Sequence, residues 1–219
     1  MRKVYNGVYL VGSSGCSVYL IDTESVHGLV LIDCGMDINQ IKNIKKLDLN
    51  PKEIKHCIIT HNHIDHIAAC KALEDYLDEV KFYAHQLDAE AIEEKGHDNL
   101  TAASWYGVNY QPVKLYKKFI GDKEILELGY KFQIIHTPGH TPGSISVLVE
   151  IKSKKILFGQ DIHGPFSRDF KSNLKDYQNS MQKLLDLEAD ILCEGHFGII
   201  RPAEKVKEYI KRYMRENKP

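Results

Sequence analysis

The segment Thr60-His61-Asn62-His63-Ile64-Asp65-His66 directly follows the run His56-Cys57-Ile58-Ile59, and its reading decides the fold. The apolar, β-branched run predicts a buried strand. In extended chain, residues two apart point to the same side, so His61 and His63 are placed to grip one ion together. Asp65 and His66 lie where the chain turns into a helix, from which they face a second ion. A merely polar loop has no reason to put three histidines and an aspartate within six residues at the end of a buried strand. Imidazole and carboxylate donors suit zinc, iron or manganese, and the lack of a placed thiolate disfavours an all-sulfur structural site.

Further candidate ligands recur at strand ends. His140 stands inside Thr137-Pro138-Gly139-His140-Thr141-Pro142-Gly143, Asp161 follows Ile156-Leu157-Phe158-Gly159-Gln160, and His196 follows Ile191-Leu192-Cys193-Glu194-Gly195. Each sits in a turn whose glycine or proline fixes the backbone.

The pattern H-x-H-x-D-H, a histidine in a Pro-Gly turn, an aspartate 21 residues later and a final histidine resembles the metallo-β-lactamase superfamily. The likeness runs from Asp33 in Ile32-Asp33-Cys34-Gly35 to His196. It implies an α/β fold, a four-layer αββα sandwich, and two divalent metal ions, zinc first, with iron or manganese as alternatives. It also implies His61, His63 and His140 on one ion, Asp65, His66 and His196 on the other, Asp161 bridging them and Asp33 in support. Within the superfamily the Asp161-bearing pattern is similar to the glyoxalase II and lactonase hydrolases, since true zinc β-lactamases lack a bridging aspartate there. There are departures as well. Gly164 stands where acyl-homoserine lactonases carry a tyrosine, Gln160 separates Gly159 from Asp161, and the residues after His196 are too few for the helical domain with which glyoxalase II binds glutathione thioesters. The β-CASP domain of the RNA-processing members is absent too.

Composition narrows the partners. A net charge of -1 over 219 residues argues against nucleic acid and favours a small-molecule substrate. No stretch approaches a membrane span and no leader is recognisable, so a cytoplasmic protein is expected, with a homo-oligomer left open. Its five cysteines form no C-x-x-C pair and read as buried free thiols. No linker or repeat interrupts the chain, which reads as one domain over 1–219.

Strands are predicted at Lys3–Val11, Cys16–Ile21, Gly28–Ile32, His56–Ile59, Lys81–Ala84, Lys131–Ile135, Ser144–Val149, Lys155–Phe158 and Asp190–Cys193, with Gly-Ser-Ser-Gly at 12–15 as one of the breaks. Helices are predicted around Ile38–Lys45, at Ala68–Leu77, Gln86–Lys95 and Leu174–Leu185, and from Pro202 onward. The stretch His97–Gly121 has no clean period but holds Trp105 and Tyr106, which are expected over the metal cleft. His163, two residues beyond Asp161, is a candidate to face the cleft, whereas His136, His27, His56, His85 and His97 read as packing or surface residues.

The chemistry expected is hydrolytic. Two cations ~3.5–4 Å apart can hold a shared water whose pKa falls to about 7, giving a bridging hydroxide as nucleophile, with Asp65 and Asp161 as the catalytic carboxylates. No general acid stands out, which favours leaving groups needing little help and hence thioester, lactone or phosphoester substrates. The alternative is a mononuclear iron enzyme resembling the persulfide dioxygenases, with His61, His140 and Asp161 as its two-histidine, one-carboxylate set.

Overall fold

A computed structural model describes residues 1–12 and 15–219; Ser13 and Ser14 of the Gly-Ser-Ser-Gly break lie outside the described residues. Seven strands, β1 (Arg2–Tyr5), β2 (Val8–Leu10), β3 (Tyr19–Asp22), β4 (Leu29–Ile32), β5 (Ile54–Ile58), β6 (Lys81–His85) and β7 (Lys117–Phe119), form one sheet in sequence order. Its first four strands are an antiparallel meander and its last four run parallel. Helices α1 (Gln40–Lys45), α2 (Ile64–Ile67), α3 (Cys70–Tyr76), α4 (Gln86–Glu93) and α5 (Ala103–Tyr106) lie in the connections that the parallel pairings require. A second sheet orders β8 (Lys123–Leu128), β9 (Tyr130–His136), β10 (Ile145–Ile151), β11 (Lys154–Gly159), β12 (Ile191–Glu194) and β13 (Gly198–Ile200) as 13-12-11-10-9-8, with α6 (Leu174–Asp186) joining the parallel pair β11 and β12. The last helix is α7 (Ala203–Glu216).

The layering follows from the period-2 alternation of strand side chains. On the first sheet, Leu20, Leu31, Cys57 and Phe82 face the helices, where they meet Ile41, Ile44, Ile67, Leu73 and Ile92. Their neighbours Tyr19, Ile21, Val30, Ile32 and Ile58 face the other way, onto Phe132, Ile134, Val147, Val149, Ile156 and Phe158 of the second sheet. On that sheet's outer side Leu148, Leu157 and Leu192 receive Tyr177, Met181 and Leu184 of α6 and Val206 and Ile210 of α7, at the 3–4 residue spacing of helical faces. The result is the expected αββα sandwich. Strands buried on both faces read as continuous apolar runs, which is why Leu29-Val30-Leu31-Ile32 shows no alternation in the sequence.

Three expectations are corrected. Lys3–Val11 is not one strand but the hairpin β1–β2, because Asn6-Gly7, with Gly7 at φ +67°, turns the chain. The Ala68–Leu77 helix begins earlier and in two pieces, α2 then α3, so that Asp65 and His66 are helical. His97–Gly121 contains α5 and β7 and is anchored in the core by Tyr110 and Val113. Strands β8 and β13 had no counterpart in the sequence reading. Among the described residues no helix is long and apolar enough to cross a membrane.

Candidate metal centre

The segments that follow β5, β9, β11 and β12 converge at one site and carry all seven residues proposed from sequence as ligands, Asp65 and His66 from the short helix α2 and the others from turns. His61, His63, His140 and Asp161 form one group of donor atoms within 4.8 Å of one another, and Asp65, His66 and His196 form a second. Asp161 touches both groups. Its Oδ2 lies 3.8 Å from His61 Nε2 and 3.5 Å from His140 Nε2, while its Oδ1 lies 3.3 Å from His66 Nε2 and 3.2 Å from His196 Nε2. Asp65 Oδ2 completes the second group at 3.3 Å from His196 Nε2.

Both groups fit divalent ions. Ligand bonds of ~2.0–2.2 Å in tetrahedral geometry put neighbouring donors roughly 3.3–3.5 Å apart, close to the separations seen. His61 Nε2 and Asp161 Oδ1 are buried and have no hydrogen-bond partner, a costly state for polar atoms unless something else binds them, and His63 turns its Nδ1 into the same group, 2.9 Å from His140 Nε2. Burial first, and then the neighbouring imidazoles, push His61 and His63 well below the ordinary histidine range, so both offer neutral lone pairs. Burial opposes ionisation of Asp161, but His66, His196 and His61 outweigh it and hold the carboxyl well below its usual value.

Several of the donor rings are aimed by hydrogen bonds at their far nitrogens. His61 Nδ1 lies 3.1 Å from Thr60 Oγ1 and His140 Nδ1 2.7 Å from the Pro165 carbonyl, which fixes the Nδ1–H tautomers and turns Nε2 inward. Asp33 does the same for His66. Buried completely, it accepts from His66 Nδ1 at 2.8 Å, from Thr60 N and Oγ1 at 2.7 and 2.8 Å, and from Gln160 Nε2 at 3.1 Å. Gln160 thus joins the turn without displacing Asp161, whose left-handed φ of +52° swings the carboxylate against Gly195; a β-carbon there would overlap Asp161 Oδ1.

Three contributors escaped the sequence reading. Asp88, on α4, accepts from Asn62 N at 3.1 Å, Thr141 Oγ1 at 2.7 Å and Gly143 N at 2.7 Å, and so ties the His61–His63 turn to the His140 turn. Burial pushes its pKa up to about 6 despite those bonds. Glu194 accepts from the backbone of His196 and Phe197 and pairs with His163 Nδ1 at 2.7 Å. Cys16 places its sulfur 3.3 Å from His66 Nδ1, and burial raises the thiol to about 12, so it stays protonated. No local pattern marks any of the three, since their partners are 26 to 55 residues away for Asp88 and 50 for Cys16, and Glu194 resembles any strand-end residue.

Trp105 and Tyr106 line the cleft above the donor groups, as does His163. His136 does not reach it: its ring stacks on His85 at 3.9 Å and its Nε2 bonds the Pro142 carbonyl. All five cysteines are buried and free.

This arrangement has relatives. The family model described as the metallo-β-lactamase superfamily matches residues 11–196, and the chain belongs to that superfamily. It is similar to the hydroxyacylglutathione hydrolase GloC of Haemophilus influenzae, at 31% identity over 83% of this chain and 84% of that one. A hydroxyacylglutathione hydrolase of Buchnera aphidicola is 33% identical over 52% of this chain, but the match spans only 36% of that protein. Among solved structures, a B3 metallo-β-lactamase with an active-site glutamic acid superposes with a TM-score of 0.81 at 26% identity, covering 98% of this chain and 87% of that one. Membership and the hydrolase relatives support an enzyme of the hydrolase class.

Proposed function

We propose that this protein hydrolyses a small-molecule ester-type bond, with a thioester as the first choice and a lactone or phosphoester next, using two divalent metal ions, zinc first. The observation that carries the reading is Asp161, whose two oxygens face two separate donor groups. When bound, the ions supply Lewis acidity and an acidified water. His61, His63 and His140 hold one ion; Asp65, His66 and His196 hold the other; Asp161 balances the charge between them. Asp33, Thr60 and the Pro165 carbonyl keep the imidazoles in the required tautomers, and Glu194 holds the proton on His163 Nδ1.

Thioester cleavage is supported by the hydroxyacylglutathione hydrolase relatives and by leaving-group chemistry. A thiolate has a reference pKa of about 8.5 and departs without a strong acid, whereas an amine does not. A mononuclear iron reading would leave the complete group Asp65, His66 and His196 without a task.

Elemental analysis of protein purified without added metal tests this, and about two zinc or manganese ions per chain are expected. Asp161→Ala and Asp161→Asn should each lose the ion at Asp65, His66 and His196 first, with turnover falling by several orders of magnitude and the fold intact. One iron per chain with oxygen consumption would refute the proposal, as would two ions and normal turnover in both variants.

A further inference from the structure

Above the donor groups the cleft has a volume of about 120 Å³. Sites that enclose a whole drug-sized ligand run to roughly 300–1,000 Å³. This one therefore surrounds only the bond to be cut and its nearest substituent, and the rest of the substrate lies along the rim.

The rim is aromatic. Phe170 packs edge-on against His63 with ring centroids 4.2 Å apart, and Trp105 lies on Phe170 at 4.8 Å, so an apolar ledge runs outward from a ligand ring. Trp105 is 58% exposed and Tyr106 51%, large areas for residues of this kind to leave in water. Pro165 and Ala102 extend the wall, and among the described residues no lysine or arginine lines it. Among the described residues the charged lining consists of Asp65 and Asp161, both anionic, and the histidines there are already engaged, His196 with those two carboxylates and His163 with Glu194, so an anionic arm of a substrate finds no free cation to pair with.

We propose that the substrate is an ester or thioester whose acyl group carries an aromatic or bulky apolar substituent, seated on the Trp105–Phe170 ledge, rather than a conjugate with an anionic peptide thiol. This rests on the hydrolase reading above and names its substrate class. An aromatic group on the ledge gains both burial and ring-to-ring contact, while a carboxylate there would be desolvated with no counter-charge.

The test uses the full chain loaded with two zinc ions and three thioesters: phenylacetyl- and acetyl-N-acetylcysteamine, which share a neutral leaving thiol, and S-lactoylglutathione. The phenylacetyl compound should exceed the acetyl one in kcat/KM by about tenfold, the scale of one aromatic contact, and should exceed S-lactoylglutathione as well. Trp105→Ala should collapse the phenylacetyl-to-acetyl ratio, and Trp105→Phe should restore most of it, at unchanged metal content. Turnover without an aromatic preference, a preference for S-lactoylglutathione, or a ratio indifferent to Trp105→Ala would overturn the inference and leave the hydrolase reading standing. No turnover of any ester, thioester, lactone or phosphoester by protein holding two ions would overturn the hydrolase reading, and this inference with it.

Discussion

Asp33→Asn isolates the tautomer control of one ligand. Asparagine occupies the left-handed region about as readily as aspartate, so the φ of +62° at this position introduces no new strain. The amide, however, has one acceptor where the carboxylate has two. If its nitrogen takes the place of Oδ1, it confronts the Thr60 N–H that now bonds there at 2.7 Å, and a buried donor left unpaired costs roughly 1–3 kcal/mol. If the nitrogen takes the place of Oδ2, it confronts Thr60 Oγ1, His66 Nδ1 and Gln160 Nε2 together. His66 then has to move its proton to Nε2, the atom aimed at Asp161 and Asp65. The second outcome weakens the Asp65–His66–His196 group, while the first unpairs the Thr60 amide and destabilises the turn beside it. Loss of such a supporting partner lowers metal affinity by about 10–100-fold, or roughly 1.4–2.7 kcal/mol. Titration against a competing chelator should show the second ion weakened by that factor and the first little changed. A urea melt of the metal-free protein should show the loss of a buried hydrogen bond. Wild-type affinity for both ions with an unchanged melt would refute the assigned role of Asp33.

Gly195→Ala should abolish high-affinity binding of the second ion, because its β-carbon overlaps Asp161 Oδ1; normal metal content by elemental analysis would contradict this. Asp88, raised to about 6 in the fold from an ordinary 3.8, binds its proton more tightly folded than unfolded. Its contribution therefore favours the fold below about pH 4 and declines as pH rises through about 6. Asp88→Asn should remove that decline from stability curves measured across the interval, and an unaltered pH profile would count against it. With every cysteine free, a thermal melt in excess reductant should match one without; a fall well beyond the ~2–4 °C that 1 kcal/mol produces at this size would reveal a bridge.

What the sequence disclosed was local. His61, His63, Asp65 and His66 lie within six residues, and His140, Asp161 and His196 each end an apolar run at a turn, so their convergence needed only the strands to be laid side by side. The central layers were equally legible, since β4 is a buried apolar run and β10 to β12 are dominated by buried apolar residues, while β5 ends in buried Cys57 and Ile58. Strand β8 was not: Lys123-Glu124-Ile125-Leu126-Glu127-Leu128 sits at a sheet edge, with only Leu128 fully buried, and its charges hide the alternation. Asp88 was hidden for another reason, because an aspartate in the first turn of a helix reads as an ordinary dipole-favoured residue until its partners 53 and 55 residues away arrive.

The tie that Asp88 makes between the two turns bears on when the enzyme can be charged with metal. One donor group draws on residues 61 to 161 and the other on residues 65 to 196, so neither sheet alone supplies a complete set. During synthesis, the segment with four candidate ligands emerges before His140, Asp161 and His196. Metal uptake is therefore expected to follow the joining of the two sheets, because each donor group takes residues from the ends of strands in both.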